Sequence, residues 1–434
     1  MMSSNEKIER NNNVVSVSGD FRDYHFYLSQ IYQGIEKYAY SDIVLDMQDC
    51  TSAFQGAMLA VCAQVLGWRN SEIEFRLIPP KDKRLSNLFK NTNWGHLLDP
   101  TVFEESGFRG YSRVPATQYQ SPDEQRAAVN RIVNVILGAL PDIERSDFAA
   151  FEWVINELTD NVLVHSESPV GGLVQVSTFE RNRKVVQFVI ADPGIGVPKS
   201  LKSGFPDIGS DTEALDRAIR EGVTRDKKIG QGNGMFGSFQ VCSESDGELL
   251  IDSGHACLKY GSSGRKVASN SEASGSRLTI NNMNIPYSGT LIVASIAFDD
   301  PNLLANALRF GGKKYSPVDY VESNYEENDR EELVFSLAEE CRSFGTRVSG
   351  TPIQRKLFNL YKMNPGLLIK IDFTGVALMS SSFADEAFAK LFLKIGPIKF
   401  MSTIKLVGMG TTVASLVDRA IEQRMAVGDS DVDE

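Results

Sequence analysis

Three polar residues recur four positions apart within INELTDNVLVHS (residues 155–166), namely Glu157, Asn161 and His165. That spacing keeps side chains on one side of an α-helix, and the apolar residues between them form a neighbouring stripe that should face a core. A carboxylate and a carboxamide at the border of a buried face cost free energy unless something partners them. The pattern therefore predicts a helix with a group bound along its polar border.

A second polar feature follows the strand-like segment VVQFVI, where Asp192 opens the sequence D-x-G-x-G with Gly194 and Gly196. A carboxylate at a strand end offers one strong acceptor, and the glycines allow a flat ligand to approach the backbone closely. The competing interpretation is an ordinary strand-to-turn aspartate with turn glycines.

A glycine-rich loop, IGQGNGMFGS, places Gly230, Gly232 and Gly234 before a helix-like segment. Such a loop can present backbone N–H groups to phosphate, aided by the start of the helix. Glycine runs also mark flexible loops, so this motif alone is weak. The sequence contains no G-x-x-x-x-G-K-[ST], which excludes a P-loop, and the spacing does not suit a Rossmann turn.

The order of these motifs is more specific than any one of them. An E-x-x-x-N helix, D-x-G-x-G, G-x-G-x-G and then Gly289-Thr290 opening a strand resemble the GHKL ATPases, a superfamily that includes histidine kinases, gyrase and the anti-sigma-factor serine kinases. The resemblance covers roughly residues 120–300. It implies ATP and Mg²⁺ as cofactors.

The resemblance also implies roles for the motif residues. Asn161 would bind the Mg²⁺ that bridges the phosphates, and Glu157 would orient or deprotonate the attacking group. Asp192 would accept a hydrogen bond from the adenine amino group. The remaining positions would admit the adenine ring (Gly194, Gly196), form a lid over the phosphates (Gly230, Gly232, Gly234) and support the adenine-binding carboxylate (Thr290). For His165, an orienting or structural role and a phosphate contact both stay open.

Basic residues cluster in LDRAIREGVTRDKK (residues 215–228), beside the lid glycines of an otherwise acidic chain. Positive charge near a triphosphate could stabilise charge that develops during phosphoryl transfer. Arg225 lies closest to the glycines and is therefore the predicted catalytic arginine. For Arg217 and Arg220, a solvated helix face is the competing interpretation.

Three blocks divide the 434 residues: 14–115, 120–300 and 320–425, with 111–124 as a predicted linker. Both flanking blocks read as strand, helix, strand. Asp46 and Asp372 each end an apolar strand, and Ser52 and Ser382 are expected at the starts of the following helices. The predicted fold class is α/β, with a central α/β sandwich on a mixed sheet between two smaller domains.

The third block, with LLIKIDFTGVALMSSSFADEAFAKLF, resembles the STAS-like modules found beside GHKL domains, and the first block resembles them more remotely. In the anti-sigma-factor antagonists, a serine at this strand-to-helix turn is phosphorylated by a GHKL kinase. Ser380, Ser381 and Ser382 are the candidate phosphoacceptors here. Ser382 with Asp385 also suits a helix N-cap, so capping alone is the competing interpretation.

The composition of the chain excludes several classes of function. A net charge of −11 argues against general nucleic-acid binding and against an anionic membrane surface. The five scattered cysteines include no C-x-x-C pair, which favours reduced structural thiols. The polar start of the chain and the absence of a long apolar run predict a cytoplasmic protein that does not enter the membrane.

The leading functional hypothesis is a regulatory ATPase or serine/threonine protein kinase of the partner-switching type that acts on STAS-like modules. The alternative is an ATP-driven switch that controls protein interaction without phosphorylating protein. A degenerate nucleotide binder is disfavoured by the presence of Glu157 and Asn161. The expected partners are proteins, either STAS-domain or transcription-regulatory, and homodimerisation is left open.

Overall fold

The computed structural model describes most of the chain: residues 6–107, 113–180, 183–224, 232–262, 276–310, 313–314, 320–325, 332–341 and 343–427. The chain forms two compact units. Unit 1 comprises Met1–Ile132, Trp153–Ala297 and Asn302–Ser316, and unit 2 comprises Val133–Glu152, Phe298–Pro301 and Pro317–Glu434. None of the helices in the described residues combines the length and apolar content that crossing a bilayer requires.

Unit 1 begins with a four-stranded sheet and the helices around it. Its elements are β1 (Lys7–Asn11), β2 (Val14–Phe21), α1 (Tyr24–Tyr32, continued by a π-helical turn over Gln33–Lys37), β3 (Asp42–Ala53), α2 (Gln55–Asn70), β4 (Glu74–Ile78), α3 (Lys83–Asn91) and α4 (Trp94–Leu98). The sheet order is β1-β2-β3-β4, with β1 antiparallel to β2 and the other pairs parallel. This is a mixed sheet. We call residues 6–107 the N-terminal block.

One detail of the N-terminal block differs from the prediction. The strand that contains Asp46 does not end there, because β3 continues to Ala53. Ser52 is therefore a strand residue, and its hydroxyl donates to Asp20 Oδ1 at 2.6 Å. Helix α2 begins at Gln55 without a capping side chain.

The second sheet of unit 1 carries the predicted motifs. The elements of this part of the chain are β5 (Arg113–Tyr119), α5 (Pro122–Ala139), α6 (Arg145–His165), β6 (Gly172–Glu180), β7 (Lys184–Asp192), α7 (Gly196–Gly204), α8 (Asp211–Ala218), α9 (Gly234–Glu244), β8 (Glu248–Ser262), β9 (Ser276–Ala297), α10 (Leu303–Ala307), β10 (Arg309–Phe310) and β11 (Lys313–Lys314). The division between the units falls within α5 and α6, whose residues Val133–Ala139 and Arg145–Glu152 belong to unit 2. The order is β5-β6-β7-β9-β8. All four pairings are antiparallel, so the mixed sheet expected here was wrong.

Strand β5 occupies half of the predicted linker, residues 113–119 of 111–124, so the prediction of a linker there was also wrong. It lies at the edge of the sheet and contains Pro115, and the register with β6 shifts between Val114 and Thr117. Proline lacks the N–H that a ladder needs, so it is tolerated at an edge or a bulge, and both conditions hold here.

Strand β7 is buried on both faces. Successive side chains of a strand point to opposite faces. Ile190 and Asp192 line a cavity beside α6, whereas Val189 and Ala191 join the core of the N-terminal block. The second sheet therefore lies between α6 and the N-terminal block.

Unit 2 contains a three-stranded sheet. Its elements are α11 (Tyr320–Tyr325), β12 (Glu332–Ser336), α12 (Leu337–Glu340), α13 (Arg347–Met363), β13 (Leu368–Asp372), α14 (Ser381–Ala384, continued by a π-helical turn over Asp385–Ala389), α15 (Lys390–Ile395), α16 (Pro397–Thr403), β14 (Ile404–Val407) and α17 (Thr411–Val427). Strands β12, β13 and β14 pair in parallel, and Asp372 ends β13 as predicted. The α/β class is confirmed.

Candidate functional site

Helix α6 forms over the predicted segment and carries the polar border. Leu158 is fully buried and Val162 is nearly so. Glu157, Asn161 and His165 are half-buried. The same helix thus supplies an apolar face and a row of polar groups beside it.

The start of helix α9 lies against this row. An ideal Cβ added to Gly234 would stand 2.5 Å from Glu157 Oε2 and 3.5 Å from Asn161 Nδ2. Gly234 is the first residue of α9, so the unpaired N–H groups and the positive end of that helix are next to the two α6 side chains. The predicted lid glycine and the predicted helix motif are therefore in contact.

Asp192 ends β7 and pairs with Thr290 on β9. Its side chain is buried, with a relative exposure of 2%. Burial raises the pKa of this carboxyl from 3.8 to about 7, and the backbone N–H groups of Gly194 and Thr290 oppose the rise by hydrogen bonding to it. The Gly194 N–H donates to Oδ1 at 2.8 Å.

The glycines after Asp192 are required by contacts within the protein. A Cβ on Gly194 would stand 2.1 Å from the carbonyl oxygen of Ser166. Gly196 has φ +79°, and a Cβ there would stand 2.7 Å from Ser253 Oγ. The predicted explanation, access for a flat ligand, is therefore not needed to account for them.

These segments surround one cavity of about 430 Å³ in unit 1. Seven of the predicted site residues line it: Glu157, Asn161, Asp192, Gly196, Gly232, Gly234 and Thr290. His165 is also part of the wall. Its apolar walls come mainly from Leu158, Val162, Ile190, Val197, Leu201, Met235 and Ile292. The volume and the mixture of apolar walls with a few polar groups are typical of small-molecule sites.

Ser253 is a residue that the sequence did not single out. Its hydroxyl donates to the carbonyl oxygen of Gly289 at 2.6 Å and accepts from the N–H of Val197 at 2.9 Å. It therefore connects the turn after Asp192 with the turn before Thr290. One serine at the end of a predicted strand carries no signal that distinguishes it from other serines.

Two predicted residues, Arg225 and Gly230, lie outside the described residues. Arg217 forms ion pairs with Asp207 at 2.8 Å and with Glu213 at 2.6 Å. Arg220 pairs with Asp216. For Arg217 and Arg220 these partners favour the interpretation of a salt-bridged helix face.

The three candidate serines lie at the start of α14 in unit 2. The N-cap is Ser380, whose Oγ accepts from the Phe383 N–H at 3.0 Å, so the predicted cap at Ser382 was wrong. The Asp385 carboxylate instead receives two hydrogen bonds from Arg424, at 2.7 and 3.0 Å. Ser381 is exposed, whereas Ser382 is half-buried.

All five cysteines are buried free thiols. In the described part of the chain, no group of three or more His, Cys, Asp and Glu residues is arranged to hold a metal ion. Any divalent ion at the cavity would therefore depend on ligand oxygens as well as on Asn161.

Residues 355–414 match the STAS-like domain of unknown function DUF4325, so unit 2 contains a STAS-like domain. No curated protein matches the chain. Among solved structures, the chain aligns with the histidine kinase domain of a blue-light activated histidine kinase from Erythrobacter litoralis at 14% identity and a TM-score of 0.20. The alignment covers 42% of this chain and 65% of that one, just under two thirds of its length.

Proposed function

We propose that the protein is an ATP-dependent regulatory protein whose cavity in unit 1 binds ATP with Mg²⁺. One observation carries this proposal. Glu157, Asp192, Gly234 and Thr290 come from separate parts of the chain, yet all of them line the same 430 Å³ cavity. Their polar groups form two sets, since Asp192 pairs with Thr290 and Glu157 contacts Gly234, and apolar side chains line the same cavity.

The Asp192 set suits a purine base. A buried carboxylate flanked by Ile190 and Ile292 can accept a hydrogen bond from an exocyclic amino group while the apolar walls cover the ring. Hydrogen bonds from Gly194 and Thr290 fix the carboxylate before a ligand arrives. This is the arrangement that would select adenine over a base with a carbonyl group at the same position.

The Glu157 set suits phosphates. The N-terminus of α9 provides N–H groups and the positive end of a helix dipole beside Asn161. The Asn161 carboxamide oxygen would be a ligand for Mg²⁺, which neutralises phosphate charge when bound. Together these groups offer the positive potential that a polyphosphate needs in an acidic protein.

Glu157 is the proposed general base or orienting group. Burial, and secondly the charge of Asp160, raise the pKa of its carboxyl above the usual 4.5. A carboxylate with a raised pKa accepts a proton more readily near neutral pH. Glu157 could therefore take the proton from an attacking water or hydroxyl group.

The STAS-like domain supplies the proposed protein substrate or partner, in the same chain or in another. Ser381 is exposed at the start of α14, and a helix N-terminus tolerates added negative charge. We therefore favour Ser381 among the three serines as the acceptor for a kinase activity. The second candidate function is an ATP switch without phosphotransfer, favoured by the packing of the N-terminal block on the sheet that carries Asp192.

Incubation of the full chain with ATP labelled in the γ-phosphate separates these functions. A kinase transfers label to protein at Ser381, and Ser381→Ala removes it. A switch releases label only as free phosphate. Glu157→Gln should abolish either product, whereas a protein that binds no ATP and yields neither product would refute the proposal.

A further inference from the structure

We infer that the N-terminal block sets the nucleotide affinity of unit 1 by holding the two turns around Asp192 in place. This inference rests on the proposed function, because it assigns regulation to the same cavity. The two turns, residues 192–196 and 287–290, are called the base corner below. Both are in contact with the N-terminal block, and the contacts come from two of its helices.

Helix α2 holds the base corner directly. The Gln64 side-chain amide donates to the carbonyl oxygen of Ser288 at 2.5 Å. The Tyr287 hydroxyl donates to the carbonyl oxygen of Ala60 at 3.3 Å. Gly67 packs against the other turn, since a Cβ there would stand 3.0 Å from the Cβ of Pro193. Helix α2 therefore contacts both turns of the base corner, one at Pro193 and the other at Tyr287 and Ser288.

Helix α1 holds the base corner through β8. Asp252 is fully buried, and its Oδ2 receives the Tyr24 hydroxyl and lies 2.6 Å from His25 Nε2. The next residue is Ser253, which connects Val197 with Gly289. A movement of α1 would thus be transmitted through two consecutive residues of one strand to both turns.

The hydrogen bonds that join the N-terminal block to the second sheet involve buried side chains, so breaking them costs free energy. Gln64 has a relative exposure of 6% and Asp252 of 0%. A buried carboxylate or carbonyl that loses its donor keeps its desolvation penalty, so the surrounding backbone shifts to find another partner. The shift would move the N–H groups that orient the Asp192 carboxylate.

The coupling is reciprocal. If the docked N-terminal block favours nucleotide binding, bound nucleotide must favour the docked block by the same factor. A protein or ligand that draws α1 or α2 away from the sheet would therefore weaken ATP binding, and ATP would oppose that partner. A partner would therefore regulate the protein by binding to the N-terminal block. Partner binding and nucleotide binding would both act on the contact between this block and the second sheet.

Three variants test the inference. Tyr24→Phe removes the hydrogen bond to Asp252, and Gln64→Met removes the hydrogen bonds to Ser288 and to the Tyr287 side chain. Both substitutions keep the bulk of the side chain. Tyr27→Phe is the matched control, because it lies on the same helix α1 and its hydroxyl donates to Val15 within the N-terminal block at 3.3 Å. Thermal unfolding checks that all three variants are folded.

Two measurements are made on the full chain: the dissociation constant for Mg·ATP, and amide hydrogen exchange of the base corner without nucleotide. Loss of a hydrogen bond should weaken ATP binding about two- to tenfold in Tyr24→Phe, and by at least as much in Gln64→Met. Exchange at residues 192–196 and 287–290 should accelerate in both variants. Tyr27→Phe should match the wild-type protein in both measurements.

The inference is overturned if both variants match Tyr27→Phe in affinity and in exchange. Its failure differs from failure of the proposed function, in which the wild-type protein itself binds no ATP. In that case the exchange measurement still tests the mechanical coupling, since it uses no nucleotide.

Discussion

The backbone of Gly234 lies directly against the carboxylate of Glu157, so close that a methyl group on Gly234 would stand 2.5 Å from Oε2. The two residues are 77 positions apart, and each was singled out from a different motif. Their contact joins the start of α9 to the polar border of α6. It is the geometric basis for assigning phosphate binding and general-base chemistry to one end of the cavity.

Gly234→Ala tests that contact. The added methyl meets the end of a flexible side chain, so Glu157 should swing aside at little cost, and the free energy of unfolding should change by no more than ~1 kcal/mol. ATP turnover should fall because the carboxylate is displaced. The control is Gly107→Ala, where a Cβ meets nothing within 4 Å. Turnover unchanged in Gly234→Ala would contradict the assignment.

Glu157→Gln separates binding from chemistry. The carboxamide keeps the size of the side chain but cannot take a proton, so turnover should fall by ~10²–10⁴ while ATP affinity is kept. Asp123→Asn is the control, since this carboxylate is exposed on α5 and its side chain has a relative exposure of 94%. Steady-state turnover and equilibrium binding measure the two quantities, and a parallel loss of both would argue against a role in chemistry alone.

Asp160→Asn tests the electrostatics of Glu157 through pH. The negative charge of Asp160 contributes to the raised pKa of Glu157, so its removal should lower that pKa. A general base acts only when ionised, and the rate falls as pH drops through its pKa. The acidic limb of the profile of kcat/KM should therefore move to lower pH in the variant. An acidic limb that stays in place or moves to higher pH would contradict the prediction that Glu157 is the general base.

Asn161→Ala tests the metal site. Loss of the carboxamide should weaken ATP binding strongly when Mg²⁺ is present and little when Mg²⁺ is chelated, because the side chain would act through the ion. Asn156→Ala is a matched control on the same helix, where the carboxamide accepts from Gln125 Nε2 at 3.4 Å. Equal losses with and without Mg²⁺ would indicate a role other than metal binding.

Local patterns predicted the parts of the site that lie within single elements. The 3.6-residue period identified α6 and its polar border, and an apolar run ending in aspartate identified β7 and the position of Asp192. In these segments the apolar side chains that form the core also determine the local structure, so the sequence pattern and the fold agree. The third block was predicted as strand, helix, strand for the same reason.

Features that depend on distant partners escaped prediction. Strand β5 was predicted as a linker because Pro115 and the neighbouring polar residues are typical of loops. They form a strand here because β5 lies at the edge of the sheet and pairs only with β6. The Asp252 contact with Tyr24 joins residues 228 positions apart, and Ser253 is recognised only through its partners Val197 and Gly289, 56 and 36 positions away. At the start of α14, three consecutive serines were all competent caps, and only the backbone geometry selects Ser380.

If the cavity binds ATP with its adenine against Asp192, ATP affinity should depend on pH. The ionised carboxylate is the form that only accepts hydrogen bonds. Since the pKa of Asp192 is raised to about 7, ATP affinity should rise as pH increases from 6 to 8. Titration of ATP itself contributes equally in Asp192→Asn, so the difference between the two proteins isolates the carboxylate.

The most direct test is calorimetric titration of the wild-type protein and Asp192→Asn with Mg·ATP at pH 8. Loss of a hydrogen bond to a charged group costs ~1.5–3 kcal/mol, so the variant should bind about 10- to 150-fold more weakly while remaining folded. The difference should shrink at pH 6, where the wild-type carboxyl is largely protonated. Equal affinity of the two folded proteins at pH 8, or no binding by the wild type, would contradict adenine binding at Asp192.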